Sequence, residues 1–136
     1  MAIILDTSFL FSLFNKEDIY NEKASKMMLT LKEGRFGKLF ITDYIFDEFI
    51  TLALKRAGAD LAIEWGQSLL DSQKIEFLTT DNSEFKMAWE FFKQYKELSF
   101  TDCTLLAISK HFGIGNIASF DSDFDKTKSI KRIAEA

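Results

Sequence analysis

Short apolar runs that alternate with stretches of helical periodicity constrain this chain more than any other feature. Ala2–Leu5, Leu39–Ile41, Ile75–Leu78 and Asn116–Phe120 are too brief for helices and read as strands. Ala2–Leu5 is apolar throughout, the pattern of a strand covered on both faces. Ile130–Ile133 reads as a last, edge strand. Between these runs, Thr7 or Ser8 can cap a short helix over Phe9–Phe14. Ala24, Met27, Met28 and Leu31 recur at helical spacing until Gly34. Thr42 is a good N-cap for a helix whose stripe is Ile45, Phe49, Leu52 and Ala53 and which ends near Gly58. Asp60–Leu70 is a further helix, and Phe85, Ala88, Trp89, Phe92 and Tyr95 mark a strongly amphipathic one. Thr101–Phe112 is apolar on most sides, so it is expected to be deeply buried before Gly113 and Gly115 stop it.

Strands alternating with helices predict an α/β fold: a mostly parallel central sheet of four to five strands, right-handed crossovers and helices on both faces. Ligands of such sheets collect beyond the carboxyl ends of the strands, near the point where strand order reverses. With 136 residues and no linker, repeat or low-complexity segment, residues 1–136 read as a single domain.

Composition closes several routes. One cysteine, Cys103, excludes an internal disulfide framework and a cysteine-based zinc site, and one histidine, His111, excludes a histidine-rich metal centre. No apolar run approaches the ~20 residues that span a bilayer. The start lacks a basic segment ahead of an apolar one, so a soluble, cytoplasmic protein is expected. With 17 Lys+Arg against 21 Asp+Glu, the net charge of −4 argues against coating nucleic acid by bulk charge. It leaves room for handling nucleic acid through a metal.

Four acids stand where the fold class directs attention. Asp6 directly follows the first strand, and Glu48 lies in the helix after the second. Asp102 sits in the first turn of the buried helix, and Asp121 follows the strand ending at Phe120, with Asp123 and Asp125 behind it. Each has an ordinary structural reading. Asp6 can end a strand, Ser99 and Asp102 are spaced as a capping box, and residues 121–125 can be a solvated acidic loop. Glu48 lies three residues after Ile45 and four before Leu52, which assigns it to the core-facing stripe, where a charge is costly unless paired or metal-bound. Together the four outweigh their separate explanations. Clustered carboxylates repel, a hard divalent cation removes that cost, and all-oxygen ligation suits Mg²⁺ or Mn²⁺.

Three segments, Ile4–Leu10, Leu98–Ala107 and Ile117–Phe124, with Glu48 inside Ile45–Phe49, resemble the PIN domain, specifically the small VapC-type toxin ribonucleases. The resemblance covers almost the whole chain and implies a three-layer PIN-like fold. It also implies that Asp6, Glu48, Asp102 and Asp121 are the catalytic, metal-binding acids, with the hydroxyls of Thr7, Ser8 and Ser119 beside them. Asp123 is the alternative fourth ligand and ranks below Asp121. Homodimers, and a small antitoxin that blocks the site with an inserted segment, are further implications.

The expected activity is metal-dependent hydrolysis of RNA phosphodiester bonds, leaving 5′-phosphate and 3′-hydroxyl ends. Competing readings are an RNA-processing PIN nuclease outside toxin–antitoxin systems and a non-catalytic module binding RNA or protein. A phosphoacceptor receiver domain would want an acidic pair after the first strand, where Thr7 and Ser8 stand instead. Lys126, Lys128, Lys131 and Arg132 supply local positive charge for RNA, and Arg35 and Lys38 lie in a turn that can fall at either end of the sheet. Cys103 reads as core, Trp65, Trp89 and the Phe stripes read as core or dimer surface rather than base-stacking platforms, and His111 carries no assigned function.

Overall fold

The computed structural model describes residues 1–135. Five strands, β1 (Ala2–Leu5), β2 (Lys38–Thr42), β3 (Ile75–Leu78), β4 (Asn116–Ala118) and β5 (Lys131–Ile133), form one sheet in the order β3-β2-β1-β4-β5. Every pairing is parallel. The helices are α1 (Thr7–Phe14), α2 (Asn21–Lys32), α3 (Asp43–Ala57), α4 (Ala59–Asp71), α5 (Asn82–Gln94) and α6 (Phe100–Phe112), with a 3₁₀ turn over Ser122–Lys126. Ile3, Ile4 and Leu5 are all fully buried. Successive side chains of a strand point to opposite faces, so layers cover both sides of β1.

The chain lays β1, β2 and β3 down in one direction, then crosses back to place β4 on the other side of β1. Strand order therefore reverses between β1 and β4, and the crevice lies beyond Leu5 and Ala118. The amide of Asp6 donates to the carbonyl of Ala118 (3.0 Å), which ties the two strand ends together.

The expected elements are present, with local differences. α1 begins at Thr7, with Asp6 in the N-cap position, so Thr7 and Ser8 are helical residues and not caps. β4 ends at Ala118, two residues earlier than expected; Ser119 keeps one bond to β5, from its amide to the carbonyl of Ile133 (3.2 Å). Thr42 does cap α3, accepting from the amide of Ile45 (3.2 Å). On α5 the aromatic stripe is partly surface, since Phe85 and Trp89 are exposed while Ala88 is buried. α6 is the interior helix, with every residue from Asp102 to Ser109 buried, and Gly113 ends it in the left-handed conformation. Lys38 opens β2, at the end of the sheet opposite the crevice, and pairs with Glu76 at 3.5 Å.

Candidate active site

Asp6 and Asp121 flank the crevice because each immediately follows a strand region at the point of reversal. Asp102 reaches it from the first turn of α6. The carboxylates of Asp102, Asp121 and Asp123 offer oxygens that lie within 4.8 Å of one another. Asp6 and Glu48 stand outside that tight group but act on the same field. Burial foremost, and the charges of Asp102 and Glu48, push the Asp6 carboxyl up to about 7, against the lowering effect of Ser119 and the Thr7 amide. Burial again, with Asp121 and Glu48, pushes Asp102 up to about 6, although Ser99 favours its charged form.

Hydrogen bonds hold these acids by one oxygen each. Ser119 (2.7 Å) and Ser8 (3.2 Å) donate their hydroxyls to Oδ2 of Asp6, and the two serine hydroxyls are 3.1 Å apart. The amides of Phe120 and Asp121 donate in turn to Ser8 Oγ and Ser119 Oγ, both at 3.0 Å, so the hydroxyl pair also shapes the chain leaving β4. Asp102 Oδ2 accepts from the Ser99 amide (3.2 Å) and Ser99 Oγ accepts from the Asp102 amide (3.0 Å). Asp121 Oδ1 accepts from the Asp123 amide (2.9 Å). The second oxygens of Asp102 and Asp121 accept no hydrogen bond among the described residues. Thr7 Oγ1, next to Asp6 in the chain, is buried without a partner.

The capping-box reading of Asp102 and its site reading both hold, because a carboxylate has two oxygens and the cap occupies one. Glu48 requires a correction: it is exposed, not part of the buried stripe. That stripe follows Ile45, Phe49 and Ala53, and Glu48 stands one residue before Phe49, about 100° round the helix. Glu48 therefore borders the crevice from its solvent side, and burial is no part of its case.

The expected basic tail is half neutralised, two of its four cations being paired. Lys126 pairs with Asp123 (2.9 Å) and Glu97 (3.6 Å), and Arg132 forks onto Asp125 through two bonds of 3.1 and 3.0 Å. Lys128 and Lys131 are exposed and enter no ion pair among the described residues. Arg132 also donates to the carbonyl of Ser119 (3.3 Å), a positioning contact that its place in a basic run did not suggest. Cys103 is core as expected; burial first and the Asp102 charge second push its thiol up to about 11. Trp65 is core as well.

The residues fit a hard cation. Among the described residues, no basic side chain pairs with Asp6, Glu48, Asp102 or Asp121, although Lys126 pairs with Asp123 beside them and Arg132 interacts with Asp121 at longer range. Its donors are oxygens throughout, as a magnesium- or manganese-type ion prefers.

A parallel sheet with acids gathered at its point of reversal defines the class, and the PIN domain family matches residues 3–130. The chain belongs to the PIN-domain family. A VapC ribonuclease of Archaeoglobus fulgidus is 28% identical over 128 residues, covering 91% of this chain and 80% of that protein. Among solved structures, Mycobacterium tuberculosis VapC20, described as a toxin cleaving the sarcin–ricin loop, superposes with a TM-score of 0.82. It is 25% identical over 91% of this chain and 93% of its own. VapBC2 of Rickettsia felis, solved on a promoter DNA fragment, shares the fold at a TM-score of 0.74 with 10% identity, covering 98% of each chain.

Proposed function

We propose that this chain is a metal-dependent endoribonuclease, the toxin of a toxin–antitoxin pair, acting through Asp6, Glu48, Asp102 and Asp121. The observation that carries the reading is the cluster of acids at the β1–β4 reversal, two of them with raised pKa values and none paired with a cation of the protein. Asp6, Glu48, Asp102 and Asp121 would hold a Mg²⁺ or Mn²⁺ ion, which would supply Lewis-acid activation of water and offset charge at the scissile phosphate.

The protein's own residues supply position. Asp6 and Asp102 would be ligands each fixed through one oxygen, Asp6 by Ser119 and Ser8 and Asp102 by the α6 cap. Asp121 ranks above Asp123 as the fourth ligand, because the Lys126 ammonium offsets the charge of Asp123 while Asp121 has no ion pair among the described residues. Exposed Glu48 borders the open side, where substrate enters. Ser8 and Ser119 orient the Asp6 carboxylate, and Thr7 adds a buried oxygen with no partner of its own. With a single histidine half-exposed on α6, water activation needs no imidazole base.

The relatives support RNA as the substrate, and the toxin–antitoxin assemblies among the structural neighbours support a small antitoxin partner. A homodimer acting in the cytoplasm completes the proposal. Among the described residues no helix is long and apolar enough to cross a membrane. The purified chain should cleave RNA with Mg²⁺ or Mn²⁺, leaving 5′-phosphates, and stop in excess EDTA. Cleavage that persists in EDTA, or that is undiminished in Asp6→Asn and Asp102→Asn, would overturn the reading.

A further inference from the structure

We infer that Arg132 is a positioning residue: it clamps the loop after β4 on both sides of Asp121 and so presents that acid to the metal. The inference rests on the metal-dependent ribonuclease reading and adds the residue that sets its fourth ligand. The guanidinium turns its planar fork on Asp125, with Nε donating to Oδ1 (3.1 Å) and Nη2 to Oδ2 (3.0 Å). Its remaining nitrogen, Nη1, donates to the carbonyl of Ser119 (3.3 Å). Asp121 lies between these two grips in the chain. A guanidinium is rigid and flat, so holding one point fixes where the other can lie.

Both gripped points act on the acid. Ser119 Oγ accepts from the Asp121 amide (3.0 Å) and donates to Oδ2 of Asp6 (2.7 Å), so a shift of that residue moves two proposed ligands together. β5 holds Ser119 a second time, through the bond from the Ser119 amide to the carbonyl of Ile133 (3.2 Å). Asp125 lies in the 3₁₀ turn, which Asp121 itself caps by accepting from the Asp123 amide (2.9 Å). Phe124, fully buried, pins the same turn to the core. Arg132 pairs with Ile117 across the sheet, and its side chain is only 22% exposed, so the clamp starts from a fixed base.

The charge of the clamp is balanced within it. The fork faces Asp125, and Arg132 acts on Asp121 only at longer range. It therefore holds Asp121 in place while leaving that acid's charge for a cation. A lysine would keep the charge of Arg132 but has no planar fork, so substitution can separate position from charge.

The test uses the whole chain, titrated with Mg²⁺ by calorimetry and assayed on RNA. Arg132→Gln should weaken Mg²⁺ binding about tenfold, and raise the Mg²⁺ needed for half-maximal cleavage alike, with KM for RNA within about twofold. Arg132→Lys should lose as much as Arg132→Gln. Asp125→Ala should match them, and the Arg132→Gln, Asp125→Ala double variant should lose no more than either alone. In EDTA, amide hydrogen exchange across residues 120–126 should quicken in each variant. A cation that grips RNA directly predicts the reverse, a raised KM with unchanged Mg²⁺ binding and no loss in Asp125→Ala. That result, wild-type Mg²⁺ affinity in Arg132→Lys, unchanged exchange, or multiplying losses in the double variant overturns the clamp and leaves the nuclease reading intact. If the Arg132 variants do not fold, Asp125→Ala decides, since that side chain is 56% exposed, and wild-type Mg²⁺ affinity there overturns the clamp. A wild-type chain that neither binds Mg²⁺ or Mn²⁺ nor cleaves RNA overturns the ribonuclease reading and the clamp's role with it.

Discussion

α5 and α6 begin with the same device and put it to different ends. Each opens with a capping box whose third-position acid is buried: Glu84 at 3% exposure behind Asp81, and Asp102 at 7% behind Ser99. Each acid also belongs to a trio of groups spaced closely enough to hold a metal ion, Asp81–Glu84–His111 in one case and Asp102–Asp121–Asp123 in the other. Glu84 uses one oxygen for the Asp81 amide and gives the other to His111 Nδ1, which links α5 to α6. Asp102 also uses one oxygen for its cap, but across from it stand further acids. A capping box thus reports local geometry alone. The group the fold brings opposite decides whether the acid is a structural tie or part of a reactive site.

That comparison can be broken by substitution. Asp102→Asn should lower RNA cleavage by at least about a hundredfold, because it removes a metal ligand while the amide can still cap α6. Glu84→Gln should leave cleavage within about twofold; equal losses in the two variants would erase the distinction. Ser119→Ala, which frees Asp6 from its shortest hydrogen bond, should cost about tenfold or more in cleavage and weaken Mg²⁺ binding measured by calorimetry.

In stability the ranking should invert. Glu84→Ala loses both the cap and the tie to His111, so urea unfolding should report a loss of about 2 kcal/mol. Asp102→Asn removes one of several repelling charges and should melt at or above wild type in EDTA. The pH dependence has a definite sign. Asp6 and Asp102 titrate near 7 and 6 in the folded chain but near 3.8 when unfolded. Between about pH 4 and 7 the folded state therefore holds protons that the unfolded state releases. Metal-free stability should fall as pH rises through that window. Thermal melts should show Mg²⁺ recovering the loss above pH 7, and a metal-free chain more stable at pH 8 than at pH 5 would contradict the cluster. His111→Gln should have the smallest effect, under about 1 kcal/mol by the same urea measurement, because the imidazole is half-exposed.

Features set by near neighbours in the chain were legible from the sequence. The four strand runs, the Thr42 cap and the Ser99–Asp102 box need only a few consecutive residues to specify them. The fold class followed from their alternation, and the acids at strand ends followed from the fold class. Glu48 was misread because residue spacing alone does not tell where a stripe is centred; the packing of α3 centres it on Phe49. Contacts across the fold carried no local signal at all. Ser119 meets Asp6 from 113 residues away, Arg132 reaches back to the Ser119 carbonyl, and Tyr20 meets Phe120 only through the loop ahead of α2.

The pairing of β1 with β4 has a consequence for the chain as it is being made. Asp6 leaves the ribosome well before the serine that aims it, 113 residues further on, and before the acid opposite. A nascent chain can pair β1 with β2, but it has no assembled site until Ser119 and Asp121 have emerged as well. N-terminal fragments from interrupted synthesis should therefore be inert. Joining strands this far apart in sequence thus withholds activity from copies cut short before β4.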